Sequence, residues 1–370
     1  MPAPDSARTK IRVLVVDDSS FMQREITAIL EAEGDMQVVG TAADGLEAIQ
    51  ARKALEPDVI TMDINMPRLD GLEASRWIMA HCPAPIVIVS SYAPRNSLAA
   101  IEALEFGVIE VVEKPSGPVT LDLDRVRTDL VRYVRTASRI RVVRNASRMD
   151  SMPSFEKPPE QPLTEKPSAP PLPLETSSLP IIAVAASTGG PVAVRALLQG
   201  LDHKLNAAIV VCQHMPPRFT REFAIRLNEV TPFTVCEAED RMVTNPGSVL
   251  VAPGGFHLEL NGRETRIREG QPVNGARPSA DLLFRSIACT TGRRAIGVVL
   301  TGMGEDGARG AIAIRENGGI VLAQDEESSV VFGMPAAAAR MDAVDEVLPL
   351  ESMPPALTGL VDHLNSLEAS

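Results

Sequence analysis

Aromatic side chains make up only 3% of this 370-residue chain, with one Trp, two Tyr and nine Phe. Binding of nucleic-acid bases by stacking needs aromatic faces at intervals, so that class is disfavoured. Basic charge is also short: 36 Lys and Arg face 48 Asp and Glu, a formal net charge of -12. Non-specific attraction to DNA, RNA or an anionic membrane surface is therefore not expected. No apolar run approaches the roughly 18 residues of a membrane-crossing helix. Arg8, Lys10 and Arg12 precede an apolar run, but it stops at Asp17-Asp18, unlike a signal peptide. A cytoplasmic protein is expected, with no nucleic-acid partner and no direct membrane insertion. Cysteine is sparse too. Cys82, Cys212, Cys236 and Cys289 form no C-x-x-C pair, so reduced and mostly buried thiols are expected. His81, His203, His214, His257 and His363 show no metal-ligand spacing.

What is present is length and an alternating pattern. At 370 residues and 45% hydrophobic, the chain is too long for one ordinary core and rich enough to fill two. Strands are expected at 11–16, 37–41, 58–62, 86–89 and 108–112, with helices at 21–32, 45–52, 71–79, 97–106 and 121–135. Such alternation predicts a (βα)5 unit with a parallel sheet covered on both faces. From about 145 the pattern collapses, with nine prolines between Pro153 and Pro180 among Ser, Glu, Thr and Lys. That composition cannot bury enough to offset chain entropy and reads as a semi-rigid linker. Alternation resumes at Ile181, with strands expected at 181–186, 207–212, 249–252, 256–260, 296–300, 319–323 and 345–348. The expected division is 9–140, a Pro-rich linker 141–179 and a second α/β unit 180–366.

Asp17 and Asp18 follow the first strand and Asp63 the third. Parallel strands point their ends to one edge, so these carboxylates converge. Crowded carboxylates need a cation, and all-oxygen ligation suits Mg2+. Such an ion could hold a phosphoryl donor while one carboxylate attacks phosphorus. Ser90 and Lys114 follow the fourth and fifth strands and could bond and pair with the new charge. The simpler alternative is that the acids only cap helices. The segments Val-Leu-Val-Val-Asp-Asp-Ser (13–19), Asp-Ile-Asn-Met-Pro-Arg-Leu-Asp-Gly (63–71), Val-Ser-Ser (89–91) and Glu-Lys-Pro (113–115) resemble a two-component response-regulator receiver. The resemblance implies Asp63 as phospho-acceptor, Asp17 and Asp18 with Asp63 as Mg2+ ligands, Ser90 as switch hydroxyl and Lys114 as phosphate partner. Many receivers carry an aromatic switch residue three positions before the Lys; this chain has Val111 there.

The second unit opens on Ile181–Ala186, a buried-strand pattern ending at Ser187-Thr188-Gly189-Gly190-Pro191. Pro191 suits a first helical turn, so Ser187 stands at a strand-to-helix corner on the carboxyl edge, where open α/β sheets bind ligands. A serine there needs a base, and the base an orienter. His214 follows the next expected strand, and Asp306 follows another after Leu300-Thr301-Gly302-Met303-Gly304-Glu305. Three strand ends supplying Ser, His and Asp form a triad geometry, in an order unlike the G-x-S-x-G hydrolases. Each residue alone is as well explained by a cap, a structural His or a turn, and Glu305 competes for the acid role.

Six segments add to this: Ala-Ala-Ser-Thr-Gly-Gly-Pro (185–191), Gln-His-Met-Pro-Pro-Arg-Phe-Thr (213–220), Val-Ala-Pro-Gly-Gly-Phe-His (251–257), Arg-Pro-Ser-Ala-Asp-Leu-Leu-Phe-Arg-Ser (277–286), Leu-Thr-Gly-Met-Gly-Glu-Asp-Gly-Ala (300–308) and Ala-Gln-Asp-Glu-Glu-Ser-Ser-Val-Val-Phe-Gly-Met-Pro (323–335). In this order they closely resemble the chemotaxis protein-glutamate methylesterase (CheB) family. The resemblance implies Ser187 as nucleophile, His214 as base and Asp306 as orienter, with backbone N–H groups near Thr188 and Met303 as oxyanion donors. It implies hydrolysis of glutamyl methyl esters, and of glutamine amides, on chemotaxis receptors, for adaptation. It implies a chemotaxis histidine kinase as phosphodonor, Mg2+ for phosphorylation only, no cofactor for ester hydrolysis, and a monomer. His257 and Arg277 match family segments without an assigned role. Two other classes fit the sequence less well. A DNA-binding output fits poorly with the charge and the α/β second half. A nucleotide cradle at Ser187 lacks the Gly-Lys-Ser/Thr end of a P-loop.

Overall fold

The computed structural model describes residues 10–90, 94–114, 120–140, 179–217 and 219–367. The expected linker lies outside the described residues except for Leu179. The first unit runs β1 (Ile11–Val16), α1 (Ser20–Glu31), β2 (Met36–Ala42), α2 (Gly45–Leu55), β3 (Val59–Met62), α3 (Gly71–His81), β4 (Ile86–Ser90), α4 (Pro94–Glu105), β5 (Glu110–Glu113) and α5 (Thr120–Ala137). Its three inner strands are largely apolar because helices cover both faces; Val13 to Val16, for instance, are buried throughout. The first three strands hand over to their helices through a small polar cap. Ser19 accepts from the Met22 N–H, Asp44 from those of Leu46 and Glu47, and Asp70 from that of Glu73. The five strands lie in order β2-β1-β3-β4-β5, all parallel. The order reverses between β1 and β3, so the crevice beyond their carboxyl ends is the ligand position of such sheets.

The second unit runs β6 (Ile181–Ala186), α6 (Gly190–Gly200), β7 (Ala208–Gln213), α7 (Phe219–Val230), β8 (Thr234–Glu237), β9 (Ser248–Val251), β10 (His257–Asn261), β11 (Glu264–Arg268), α8 (Ala280–Thr291), β12 (Ala295–Val299), α9 (Ala308–Glu316), β13 (Ile320–Gln324), α10 (Met334–Arg340), β14 (Glu346–Leu348) and α11 (Met353–Ser366). Seven strands form one parallel sheet, in order β14-β13-β12-β6-β7-β9-β8. The chain winds outward from β6 through β7 and then returns on its other side with β12, so the reversal falls at β6. The strand expected at 256–260 is β10, and it joins β11 in an antiparallel hairpin outside that sheet. Gly262, at φ 64, makes their two-residue connection.

Two expectations need correction. The fifth strand begins at Glu110 rather than Val108, because Gly107 (φ 111) and the apolar pair Val108-Ile109 form the buried approach to it. Of the four free cysteines only Cys212 is buried; Cys82 and Cys236 are half-buried and Cys289, near the end of α8, is exposed.

The units pack on one another. Helix α4 lies against α6 and α7. Glu105 at its end accepts from Arg226 Nε (3.0 Å) and Nη2 (3.1 Å) and pairs with Arg195 Nη1 (3.1 Å). One apolar cluster includes Ile101 and Leu104 of the first unit and Phe223 and Leu227 of the second.

Gly71 lies so close to Asp63 that a Cβ there would overlap the Asp63 carbonyl oxygen. Gly71→Ala is therefore expected to destabilise the first unit by about 1–3 kcal/mol. A lower urea midpoint at unchanged slope would bear this out.

Candidate active site and acidic centre

At the β1–β3 crevice, one carboxylate oxygen from each of Asp17, Asp18 and Asp63 lies within 4.8 Å of the others. Asp17 and Asp63 are buried and Asp18 is exposed. Lys114, just past β5, places Nζ 2.6 Å from Asp17 Oδ2 and 2.8 Å from Asp63 Oδ2. Asp63 Oδ1 accepts the Ile64 N–H at 2.8 Å, and Asp17 Oδ1 that of Ser19 at 3.0 Å. Burial, helped by Asp17, pushes the Asp63 carboxyl above its usual range despite Lys114. The same two acids hold the Lys114 ammonium above its usual range against its own burial. Three convergent acids with only oxygen donors fit a hard divalent cation such as Mg2+, with Asp17, Asp18 and Asp63 as the holding residues. Ser90 is buried at the end of β4, in register with Glu113.

On the second sheet, Ala186 is in register with Gln213, so Ser187 and His214 leave adjacent strands side by side. Ser187 is fixed by its own backbone: its N–H donates to Thr301 O (3.1 Å), and its carbonyl accepts from Gly190 N–H (2.7 Å) and Gln213 Nε2 (2.9 Å). Gln213 Nε2 also reaches His214 O at 3.0 Å, tying both corners to one amide. Gly189 turns the chain at φ 78, and Gly190 opens α6 with Pro191 behind it. His214 Nε2 lies 2.8 Å from Asp306 Oδ2. With Nε2–H donated there, Nδ1 is the ring nitrogen left as an acceptor.

Asp306 is 2% exposed and also accepts from Ser279 Oγ (2.8 Å), Ala280 N–H (2.7 Å) and Asp281 N–H (3.2 Å). Burial alone would raise its carboxyl, but His214 and these donors outweigh it and hold it below the usual range. Glu305, its rival, is exposed and faces Arg309 at 3.8 Å. The turn carrying Met303 presses on the serine: a Cβ on Gly302 would stand 2.7 Å from Ser187 Cβ.

The first unit covers this edge. Thr188 Oγ1 donates to Glu110 Oε2 at 3.0 Å, and Thr136 Oγ1 to Met303 Sδ at 2.8 Å. A cleft of about 320 Å³ remains between α5 and Met303, lined also by Arg132, Arg135 and Thr136. Ser187 is only 5% exposed as a result of this crowded edge. Glu110 is fully enclosed, and burial lifts its carboxyl to about 7, against the Val111 N–H, Thr188 and Arg132.

Sequence reasoning did not single out Gln213, Ser279, Asp281 or Glu110. Ser279 and Asp281 lay inside a quoted segment, and their spacing at a helix start was the available signal. Nothing in sequence marks Glu110 as an interface acid. His257 is buried with Nε2 2.9 Å from Gln271 O, and Arg277 bonds Gly270 O; neither reaches the Ser187 corner through these contacts.

Residues 182–357 match the family model described as CheB methylesterase, and residues 13–124 that of the response regulator receiver domain. A Pyrococcus abyssi protein named protein-glutamate methylesterase/protein-glutamine glutaminase is 38% identical over 367 residues, covering 96% of this chain and 95% of that one. A Salmonella typhi protein of the same name is 42% identical over 349 residues, covering 93% and 95%. The solved catalytic domain of Thermotoga maritima CheB methylesterase is 39% identical, covering 50% of this chain and 100% of that one at a TM-score of 0.49.

Lys114 is the cation between two buried acids. Without added metal, Lys114→Met is expected to cost about 3–5 kcal/mol at neutral pH, since it leaves both charges uncompensated. The loss should shrink at lower pH, because Asp63 sits above the usual carboxylate range and takes up a proton as the pH falls. Urea unfolding in EDTA at pH 7.5 and pH 5 measures both effects.

Proposed function

The chain belongs to the CheB methylesterase family, and on that premise we propose that it demethylates glutamyl methyl esters on methyl-accepting chemotaxis receptors, releasing methanol. It also deamidates glutamine side chains there, releasing ammonia. The observation that carries the residue roles is the 2.8 Å bond from His214 to an Asp306 held by three further donors. Ser187 Oγ attacks the ester carbonyl as His214 takes its proton. His214 then protonates the leaving methoxide, and methanol departs. Water, deprotonated by His214, attacks the acyl-enzyme and restores Ser187, leaving a glutamate carboxylate. Asp306 keeps the imidazole in one tautomer and offsets its positive charge. N–H groups near Thr188 and Met303 receive the oxyanion, an effect typically worth ~10²–10³ in rate per donor.

The receiver unit, residues 9–140, is joined by a linker at 141–179 to the catalytic unit at 180–366. Asp63 accepts a phosphoryl group from a chemotaxis histidine kinase, in the cytoplasm. Asp17, Asp18 and Asp63 would hold Mg2+, which would supply charge neutralisation for that group. Ser90 and Lys114 bond and pair with it. The unphosphorylated receiver blocks receptor entry by packing over the Ser187 edge; its contacts with Thr188 and Met303 support this. Phosphorylation shifts that docking by the difference in affinity between the two receiver states.

The first test is methanol release from a methylated receptor cytoplasmic fragment. Release should rise with a small phosphodonor plus Mg2+, vanish in Ser187→Ala, and fall by about 10⁴ in Asp306→Asn. Release surviving Ser187→Ala would remove the triad reading.

Docking should also depend on pH. Glu110 titrates near 7 when docked and at an ordinary carboxylate pKa when exposed, so the docked state binds its proton more tightly. Docking is thus favoured at low pH and weakens by about tenfold from pH 6 to pH 8. Without phosphodonor, the activity ratio of the native chain to Glu110→Gln should rise across that interval. A flat ratio would remove Glu110 from the latch.

A further inference from the structure

Beyond the three triad residues, one buried acid is tied to the turn that carries Asp306. Asp281 is 1% exposed, in the first turn of α8. Its Oδ1 accepts the Gly307 N–H at 3.0 Å and the Gly310 N–H at 2.7 Å. Its Oδ2 accepts from Asn274 Nδ2 at 2.8 Å. Gly307 is the residue after Asp306 and the cap of α9, at φ 92. The two helices therefore cap each other. Asp306, from the approach to α9, accepts two N–H groups at the start of α8, while Asp281, from α8, accepts two at the start of α9.

We infer that Asp281 is a positioning residue for the hydrolysis, holding the turn at Gly307 so that Asp306 Oδ2 stays on His214 Nε2. The chemistry favours this over simple capping. A helix cap needs one good acceptor, and α9 would be served by any local Ser or Asp. Here the acceptor comes from a different helix, and the turn it holds is the one that aims the carboxylate. Gly304 and Gly307 both have positive φ, so the turn's own backbone does little to restrain it. Gly310 approaches α8 so closely that a Cβ would meet Asp281 Cα at 3.0 Å, which keeps the clamp short. The inference rests on the reading of Asp306 as the residue that orients His214.

The test uses the full chain with phosphodonor and Mg2+, comparing Asp281→Ala, Asp281→Asn and Asn274→Ala. In Asp281→Ala the carboxylate drifts from His214, and misplacement on the scale of an ångström costs up to about 10²-fold. The expected result is kcat lower by about tenfold to a hundredfold with KM within about twofold. The acid limb of kcat/KM should move to lower pH, because the imidazolium loses part of its counter-charge. Asp281→Asn keeps Oδ1 for Gly307 and Gly310 and turns its amide to an Asn274 that can flip, so it should restore kcat to within about threefold of native. Asn274 is exposed, and its φ of 51 adds only a single-residue strain to Asn274→Ala, so that variant should fold even if Asp281→Ala does not, with a smaller shift in kcat and the acid limb in the same direction. Lower thermal stability with kcat and the acid limb unmoved, in whichever of Asp281→Ala and Asn274→Ala folds, would overturn the assignment. If Ser187→Ala and His214→Gln abolish methanol release in the same assay, that result is a failure of the clamp alone. If they do not, the triad reading itself has failed.

Discussion

A carboxylate as deeply buried as Asp306 is tolerable only when donors meet it, because its desolvation costs several kcal/mol. Meeting that requirement organises the second unit. Helix α8 must begin at the carboxylate, so that its first N–H groups and the positive end of its dipole face the charge. The loop before it must supply Ser279, and the neighbouring strand must supply His214. Strand order makes this affordable: β12 lies on one side of β6 and β7 on the other, so acid, serine and imidazole leave three adjacent strands. Ser187 and His214 are thereby placed directly by sheet register, while Asp306 reaches them on the turn between β12 and α9.

The two glutamates at the unit boundary show how charge is managed differently at neighbouring positions. Glu105 meets two guanidiniums, Arg195 and Arg226, and they draw its carboxyl below the usual range despite half-burial. Glu110 is more deeply enclosed yet meets only a hydroxyl and one N–H, with Arg132, Asp129 and Tyr133 of α5 nearby. A pair like the first holds at any physiological pH. Burying the second costs least while the acid keeps its proton, because its few donors do not offset the desolvation of a charge. The boundary thus has one anchor and one conditional contact, and the conditional one touches the residue next to Ser187.

Much of this was legible in sequence because parallel α/β sheets announce themselves. Ile181–Ala186 reads as a strand buried on both faces, and Ser-Thr-Gly-Gly-Pro after it as a turn into a helix, and the structure has both. Asp17, Asp63 and Lys114 stood at strand ends, where period and register bring residues together without any side-chain knowledge. What stayed hidden has two causes. Edge and hairpin strands such as Thr234–Glu237 and Glu264–Arg268 are short and half-exposed, so no continuous apolar run betrays them. Groups such as Glu110 and Asp281 take their meaning from a partner 78 or about 26 to 29 residues away. No local pattern distinguishes a buried interface acid from a solvated one.

Strand β5 joins the two sites. Lys114 leaves its carboxyl end to hold Asp17 and Asp63, and Glu110 opens its amino end to meet Thr188. The two residues are about 13 Å apart along an extended chain. Val111, buried and apolar, occupies the position where many receivers use an aromatic ring, and a valine has no polar tip with which to exchange one burial state for another. One physical route from the acidic centre to the serine corner is therefore the strand itself. β5 is in register with β4 from Val87–Glu110 to Ser90–Glu113, so it shifts as part of a hydrogen-bonded ladder rather than residue by residue. Lys114 balances Asp63 at one end, and the far end of the same ladder is the acid that accepts from Thr188 beside the serine corner. That arrangement needs no long chain of side chains, only one stiff element with a charged group at each end.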